Sequence, residues 1–536
     1  MPGIAGSVRA FSSKVLKPFR IAPIDFEKTT AWNFMAFKQC KSVILIGTLI
    51  LAFGTSQAEQ VLETPAFWLE SGQNSIKAAE RLKANQAFAK NVILFVGDGM
   101  GISTITAARI LEGQRKPGNR GGEENSLSFE TAPYVALSKT YSANQQTPDS
   151  APTMSAMITG VKTNDGELSV GIQVARQEKS ADVINTYKVK TLLEQAEEKG
   201  LSTGVVSTAR VTHATPAACY AHTSERDWES DAHVPAGATV SDIAKQLLEF
   251  GYGNGLEVVL GGGRSMFLPD TTPDPEDSDK FGGRKDGMDL TRRWLAQYPK
   301  SAYVYNKAGF DAIDPKQTEH LLGLFERSHM EYEHDRPNDK GGEPSLTEMT
   351  ETAIDILSKN KKGYVLMVEA GRIDHAHHAG NAYRALTETI QLSNAVRKAL
   401  EKTNPKDTLI VVTADHSHTF TIAGYPQRGN PIMGLVKQTG ETGFAKDSNG
   451  LPYATLGYAN GPGYRGQNGR PDLSTVDTTH PDFLQEAIVP LSNETHGAED
   501  VAIFAFGPKA HLFHGVQEQS YIYQVMAHAL NFKAGR

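Results

Sequence analysis

Carboxylates and imidazoles recur at short spacing in three segments: Asp98 in Gly97-Asp98-Gly99-Met100-Gly101, Glu369 followed by Asp374, His375, His377 and His378, and Asp415-His416-Ser417-His418. A fourth segment, Asn493-Glu494-Thr495-His496-Gly497, adds another imidazole. Ionised carboxylates crowded together repel unless cations sit between them, so convergence of these groups would mean metal binding. Asp374 and His378 are four apart and share one face of a helical turn, which suits a single tetrahedral cation; the adjacent Asp415 and His416 can reach a second. Imidazole with carboxylate and no thiolate favours zinc, whereas carboxylates with a hydroxyl and waters favour magnesium. That chemistry is hydrolysis at a multi-metal site.

A nucleophile candidate stands in Thr147-Pro148-Asp149-Ser150-Ala151-Pro152-Thr153-Met154-Ser155-Ala156-Met157. The pattern predicts Ser150 as the N-cap of a small-residue helix, with Pro152 in the first turn, where a missing N–H costs nothing. The helix amides would then face an anion beside the Ser150 oxygen. Serine is a poor nucleophile until a base or a metal ionises it, so Ser150 depends on the metal cluster for its reactivity.

The elements that must position these groups are short β-branched runs separated by helical stretches. They predict an α/β chain of three layers, with a mostly parallel central sheet covered by helices on both faces. Strands are expected at Asn91 to Val96, Ser202 to Ser207, Glu257 to Leu260, Gly363 to Val368, Thr408 to Val412 and Val501 to Phe506. Helices are expected at Val189 to Lys199, with Gly200 as a cap, and at Val240 to Phe250, Leu346 to Lys359 and Tyr383 to Glu401. Asp98, Glu369 and Asp415 then fall at strand carboxyl ends, where open α/β sheets hold ligands. Segments Gly113 to Asn125, Asp270 to Gly287 and Gly424 to Asp477 read as loops, the last long enough to form a small inserted subdomain.

The 536-residue chain is acidic, with 54 Lys+Arg against 61 Asp+Glu, and so lacks the basic footprint of a nucleic-acid binder. Its one long apolar run, Val43 to Phe53, is too short to span a bilayer, so no transmembrane anchor is expected there. The run fits a signal-peptide core: Lys38 and Lys41 precede it and Ser56-Gln57-Ala58 offers a cleavage site after Ala58. Residues 1–58 are therefore read as a leader, with Met35 as the expected true start, and 59–536 as the catalytic domain of a secreted protein, periplasmic or extracellular. Loss of the leader removes seven basic and two acidic residues, leaving a charge of −12, and removes Cys40. The remaining Cys219 cannot form an intrachain disulfide.

From about Asn91 onward the sequence resembles the alkaline phosphatase family, in Gly97-Asp98-Gly99-Met100-Gly101, Asp149-Ser150-Ala151, His213-Ala214-Thr215-Pro216-Ala217, Glu369 to His378, Ala414-Asp415-His416 and Thr495-His496-Gly497. The resemblance implies two zinc ions, one held by Asp374, His378 and His496 and one by Asp98, Asp415 and His416. It also implies a magnesium held by Asp98, Thr215 and Glu369. It makes Ser150 the nucleophile of a phosphoseryl pathway that hydrolyses phosphate monoesters, and Arg226 the clamp on the phosphoryl oxygens. It implies a homodimer, and it makes the inserted segment at about 424–477 a crown-like subdomain.

His213 and His375 stand where some bacterial members carry Asp and Lys, and where vertebrate-type members carry His; with His418 they are expected one layer outside the metals. Pro152, Met154 and Ser155 depart from the family's small residues behind the nucleophile. A phosphodiesterase or sulfatase on the same scaffold is an alternative, as is a secreted phosphate- or metal-binding protein without turnover. Calcium is a candidate ion for the acidic loop Asp270 to Asp286. His320, His329, His334 and His511 read as surface residues, and Cys219 as a small packed one.

Overall fold

Runs of Val, Ile, Leu and Phe with no polar interruption can be strands only if both faces are covered, and β1 (Asn91–Gly97) shows how this is done. Val92, Leu94 and Val96 enter one apolar core; Ile93 and Phe95 enter the other, on the opposite face. The first core is closed by helices that include Ser150–Thr159, Leu192–Glu198 and Tyr521–Ala529, the second by Ile102–Arg115, Leu346–Leu357 and Ala382–Lys402. The result is the three-layer arrangement expected from sequence. Phe95 is fully buried, and Phe95→Ala would cost roughly 3–5 kcal/mol through lost transfer energy and a cavity.

The computed structural model describes residues 63–117, 121–466 and 469–532, all within one unit, Leu62–Arg536. The expected leader, its cleavage site and the Met35 start lie outside the described residues.

The remaining strands are β2 (Tyr134–Lys139), β3 (Ser202–Arg210), β4 (Val258–Gly262), β5 (Ser301–Val304), β6 (His320–Leu324), β7 (Tyr364–Ala370), β8 (Thr408–Ala414), β9 (Ser417–His418), β10 (Phe420–Ile422), β11 (Leu456–Gly461), β12 (Glu486–Pro490), β13 (His496–Gly497), β14 (Val501–Phe506) and β15 (Val516–Glu518). Ten of them form the central sheet in the order β15-β2-β14-β8-β1-β7-β3-β4-β6-β5. Within it β14 alone runs antiparallel to its neighbours, β2 and β8. All six strands expected from sequence are present, within a few residues of their predicted bounds. So are the four helices, although Leu192–Glu198 and Ile243–Leu248 are shorter than predicted. Gly200 follows the first of these with φ +74°, the left-handed geometry that ends a helix.

The segment after β9 leaves the main sheet. β10, β11 and β12 form a separate three-stranded sheet, and Leu435, Ala454, Leu473 and Phe483 form a small core of their own beside it.

Candidate active site

β8, β1, β7 and β3 are adjacent, and register places their carboxyl ends level: Gly97 pairs with Ala414, Val96 with Glu369, and Ser207 with Glu369. Asp98, Glu369 and Asp415 therefore emerge side by side, each fully buried. The turn after Asp98 needs glycine. Gly99 has φ +66°, and a Cβ there would strike the His418 ring. Its amide donates to Asp415 Oδ1 at 2.9 Å, as does the amide of His416, which fixes that carboxylate.

The short helix Arg372–His378 carries Asp374 and His378 on one face, as their spacing predicts. His496 reaches them because β13 pairs with β9, setting His496 opposite His418. Nε2 of His378 and Nε2 of His496 lie 3.0 Å apart, and each is 3.3 Å from Asp374 Oδ1. Ring nitrogens that converge on a carboxylate form, once freed of their protons, a donor set for one cation. His418 braces this group by donating from Nε2 to Asp374 Oδ1 at 2.8 Å and from Nδ1 to Glu494 Oε2 at 2.5 Å. Burial opposes ionisation of Asp374, but His378, His418 and His496 hold its carboxyl well below the usual range. Asp374 and Glu494 push His418 up to about 9 against the opposing effect of burial.

A second group forms around Nε2 of His416, which lies 3.4 Å from Asp98 Oδ1, 3.2 Å from Asp415 Oδ2 and 3.2 Å from the Ser150 hydroxyl. A third consists of Asp98, Glu369 and Thr215. Both oxygens of Asp98, Oε1 of Glu369 and Oγ1 of Thr215 are buried without a hydrogen-bond partner. Unpaired acceptors in such number are costly in an interior unless a cation takes them, so these residues fit the all-oxygen site expected for magnesium. Burial, aided by neighbouring carboxylates, raises Asp98 well above its ordinary range and lifts Glu369 to about 7.

Ser150 opens the helix Ser150–Thr159 at the edge of this cluster. It is not the N-cap predicted from sequence. Asp149 takes that place, in extended geometry, with its carboxylate accepting from the Ala151 amide. The cap being filled by Asp149, the Ser150 hydroxyl is free to face His416. All ten residues of the helix are buried, Pro152, Met154 and Ser155 among them. Arg226 meets the same helix end: Nη1 donates to Asp149 Oδ1, and Nη2 lies 2.9 Å from His213 Nε2.

His213, two residues before Thr215, and His375, next to Asp374 in sequence, form with His329 a cluster whose ring nitrogens lie within 4.8 Å of one another. His329 is thus not the surface residue expected. Its ring packs 4.0 Å from that of His375, and Arg210 bonds to it. His320 is also misjudged by sequence: it is buried in β6, stacked 4.2 Å from Tyr298, with Nδ1 donating to the Leu256 carbonyl at 2.9 Å. Cys219 is fully buried, as expected. Sequence reasoning assigned no role to Asp149, Ser207, His377 or Glu494, although Ser207 donates to Glu369 and His377 bridges Thr104 and Tyr458.

The loop from Asp270 to Asp286 is no solvated charge run. Arg264 is buried against Asp274 and Glu276, and Arg284 against Asp242 and Asp286. Glu276 also faces Glu326 and Asp339 in a cluster within 4.8 Å, where Glu276 Oε1 and Asp339 Oδ2 have no hydrogen-bond partner.

This geometry agrees with the relatives of the chain. The family model for alkaline phosphatase matches residues 89–532. The rat tissue-nonspecific alkaline phosphatase isozyme is 44% identical over 501 residues, 91% of this chain and 93% of the relative. The chicken tissue-nonspecific isozyme is 47% identical over 481 residues, covering 87% and 89%, and the cod (Gadus morhua) alkaline phosphatase is 45% identical over 477, covering 87% and 97%. Among solved structures, Thermus thermophilus alkaline phosphatase superposes with a TM-score of 0.59 at 25% identity, over 85% of this chain and 94% of that one. The alkaline phosphatase of the Antarctic bacterium TAB5 gives 0.57 at 22%, over 84% and 100%, a likeness of fold. Carboxylates and imidazoles gathered around one serine, on this sheet and with this much shared sequence, lead to one conclusion: the chain belongs to the alkaline phosphatase family.

Proposed function

We propose that the chain hydrolyses phosphate monoesters through a phosphoseryl intermediate on Ser150, with zinc held by Asp374, His378 and His496, zinc held by Asp98, Asp415 and His416, and magnesium held by Asp98, Thr215 and Glu369. The observation that carries this reading is the set of buried, unpartnered acceptors on Asp98, Thr215 and Glu369, next to a serine hydroxyl 3.2 Å from His416. When bound, the ions supply Lewis acidity that ionises hydroxyl groups and neutralises phosphoryl charge. Ser150 Oγ attacks phosphorus, its bond to phosphorus forms and the ester P–O bond breaks, releasing the alcohol. A water then attacks from the vacated side, and the Ser150–phosphorus bond breaks to give inorganic phosphate. Arg226 holds two phosphoryl oxygens in its planar fork, oriented by Asp149 and His213. The Ser150 amide at the helix N-terminus supports the same charge. The Thr215 and Glu369 pair favours monoesters over diesters, because a cation there balances the third charged oxygen. An intact Ser150 argues against a binding protein without turnover. Release of nitrophenol from its phosphate ester at pH 9, with and without chelator, and labelled phosphoserine after acid quench test this reading; turnover insensitive to chelator would sink it.

Calcium, expected for the loop Asp270 to Asp286, is assigned to Glu276 of that loop with Glu326 and Asp339 from outside it, since the unpartnered Glu276 Oε1 and Asp339 Oδ2 suit a hard cation. A melting temperature that rises with calcium in wild type but not in Glu326→Gln checks it. Dimerisation is supported by exposed apolar side chains on the helix Pro65–Arg81 (Phe67, Trp68, Leu69, Ile76) and on the sheet edge (Val135, Leu137, Val516). Light scattering of purified protein decides it. The segment at about 424–477 is taken as the crown-like insertion, supported by its separate small core. Export with Glu59 as the mature N-terminus rests on the leader pattern, and N-terminal sequencing of secreted protein tests it. No helix among the described residues is long and apolar enough to cross a membrane.

A further inference from the structure

Glu494 is the residue through which three separate chain segments meet behind the first metal group. Its carboxylate is buried and accepts three hydrogen bonds: Oε2 accepts from His418 Nδ1 at 2.5 Å, and Oε1 accepts from both the Thr419 amide and the Thr419 hydroxyl at 2.7 Å. Its backbone carbonyl accepts from His378 Nδ1 at 2.6 Å, and its amide donates to the His378 carbonyl at 2.9 Å. One residue thus fixes the ring of His378 directly, fixes Asp374 through His418, and stands two positions before His496. Because His378 donates from Nδ1, its Nε2 carries the lone pair turned toward Asp374 and His496.

Glu494 is in turn braced by β11. A Cβ at Gly461, where φ is +130°, would lie 3.0 Å from the Cβ of Glu494, so only glycine lets the strand approach this closely. Asn460 exchanges two hydrogen bonds with Thr495, at 2.8 and 2.9 Å, and the Tyr458 hydroxyl lies 2.8 Å from His377 Nδ1. Three residues of the inserted small sheet therefore touch the frame that carries Asp374, His378 and His496.

We propose that Glu494 is the positioning residue of the first metal group, setting how long zinc is retained there, and that β11 acts on the site through it. This rests on the metal reading above. A glutamate that merely filled a polar hole would loosen the fold as a whole; a positioning glutamate loosens one ion.

The test is zinc release from the fully loaded enzyme into a chromogenic chelator, comparing wild type with Glu494→Gln. The amide keeps the size of the side chain but has a single oxygen to share between His418 and Thr419. One of the two zinc ions should leave roughly 10- to 100-fold faster, while the second zinc and the magnesium leave at wild-type rates. In cobalt-substituted enzyme the visible band of the first site should change. Thr419→Val, which removes one hydrogen bond to the same carboxylate and leaves Glu494 in place, should accelerate the same ion by a smaller factor. Release at the wild-type rate in Glu494→Gln, or equal acceleration of every ion, would overturn the proposal; if that variant does not fold, unchanged release in Thr419→Val would do so. Wild-type protein that binds no zinc would instead sink the metal reading itself.

Discussion

Oγ of Ser150 lies 3.2 Å from Nε2 of His416, the same ring nitrogen that lies 3.4 Å from Asp98 Oδ1 and 3.2 Å from Asp415 Oδ2. On the proposed assignment that ring nitrogen is engaged by a cation shared with Asp98 and Asp415, so activation of the hydroxyl falls to the cation and not to the imidazole as a base. Ser150→Ala should bind metals as wild type does and lose turnover by at least about 10²-fold. Acid-quenched Ser150→Ala that still carried labelled phosphoserine would show that another residue is the nucleophile.

Arg226 is shared between Asp149 and His213, so a change at His213 reaches the phosphate through the guanidinium. His213→Asp places a carboxylate against Arg226 that competes with bound phosphate, and should weaken inhibition by inorganic phosphate while strengthening magnesium retention. His375→Lys adds an ammonium beside the same region and should tighten that inhibition by about tenfold. Inhibition constants for both single variants and the double give the answer.

Removing the metals should make stability fall with rising pH. In the metal-free chain burial lifts Glu369 to about 7, so its neutral form is favoured in the fold and its charged form in the unfolded chain. The contribution is fully present below about pH 4.5, the unfolded value, and is lost as pH rises through about 7. Calorimetry of chelator-treated protein at pH 6 and pH 8 should show a lower melting temperature at pH 8. Readdition of zinc and magnesium should abolish the difference.

A second pH effect is independent of metals. Glu197 and Glu257 are buried together at the opposite sheet edge, accepting from Thr203 Oγ1, the Thr203 amide and Ser202 Oγ at 2.7, 2.7 and 2.9 Å. Burial, with Glu257 beside it, pushes Glu197 up to about 9, so the pair holds a proton across the neutral range. Stability from this pair declines as pH rises from about 4.5, the unfolded value, through about 9, where the folded pair gives up its proton. Glu197→Gln keeps the neutral form at every pH, and its melting temperature should fall less between pH 7 and 10 than that of wild type, by on the order of 1–2 °C.

The central strands were legible because β1, β7 and β8 are buried on both faces and read as unbroken apolar runs. β2, by contrast, exposes Val135 and Leu137 on one face and alternates weakly, and β6 includes His320 and Gly323, so neither stands out by periodicity. The carboxylates and imidazoles that converge were legible because Asp374 with His378, and Asp415 with His416, are close in sequence. Glu494 was not, since its partners His418 and His378 lie 76 and 116 residues away and no local spacing records them. His329 sits in a charged stretch, Glu326 to Arg336, that resembles solvated surface until Arg210 and His375 fold against it.

The reversed direction of β14 has a consequence for the order of assembly. Since β14 runs against β8, its beginning, not its end, lies at the edge where Asp415 emerges, and this brings His496 to Asp374. The first metal group is therefore the last to be completed as the chain leaves the ribosome. A nascent chain halted before residue 496 already contains Asp98, Thr215, Glu369, Asp415 and His416 but has only two of the three donors of the first group. On the proposed assignments, occupancy of that group certifies that translation has passed residue 496.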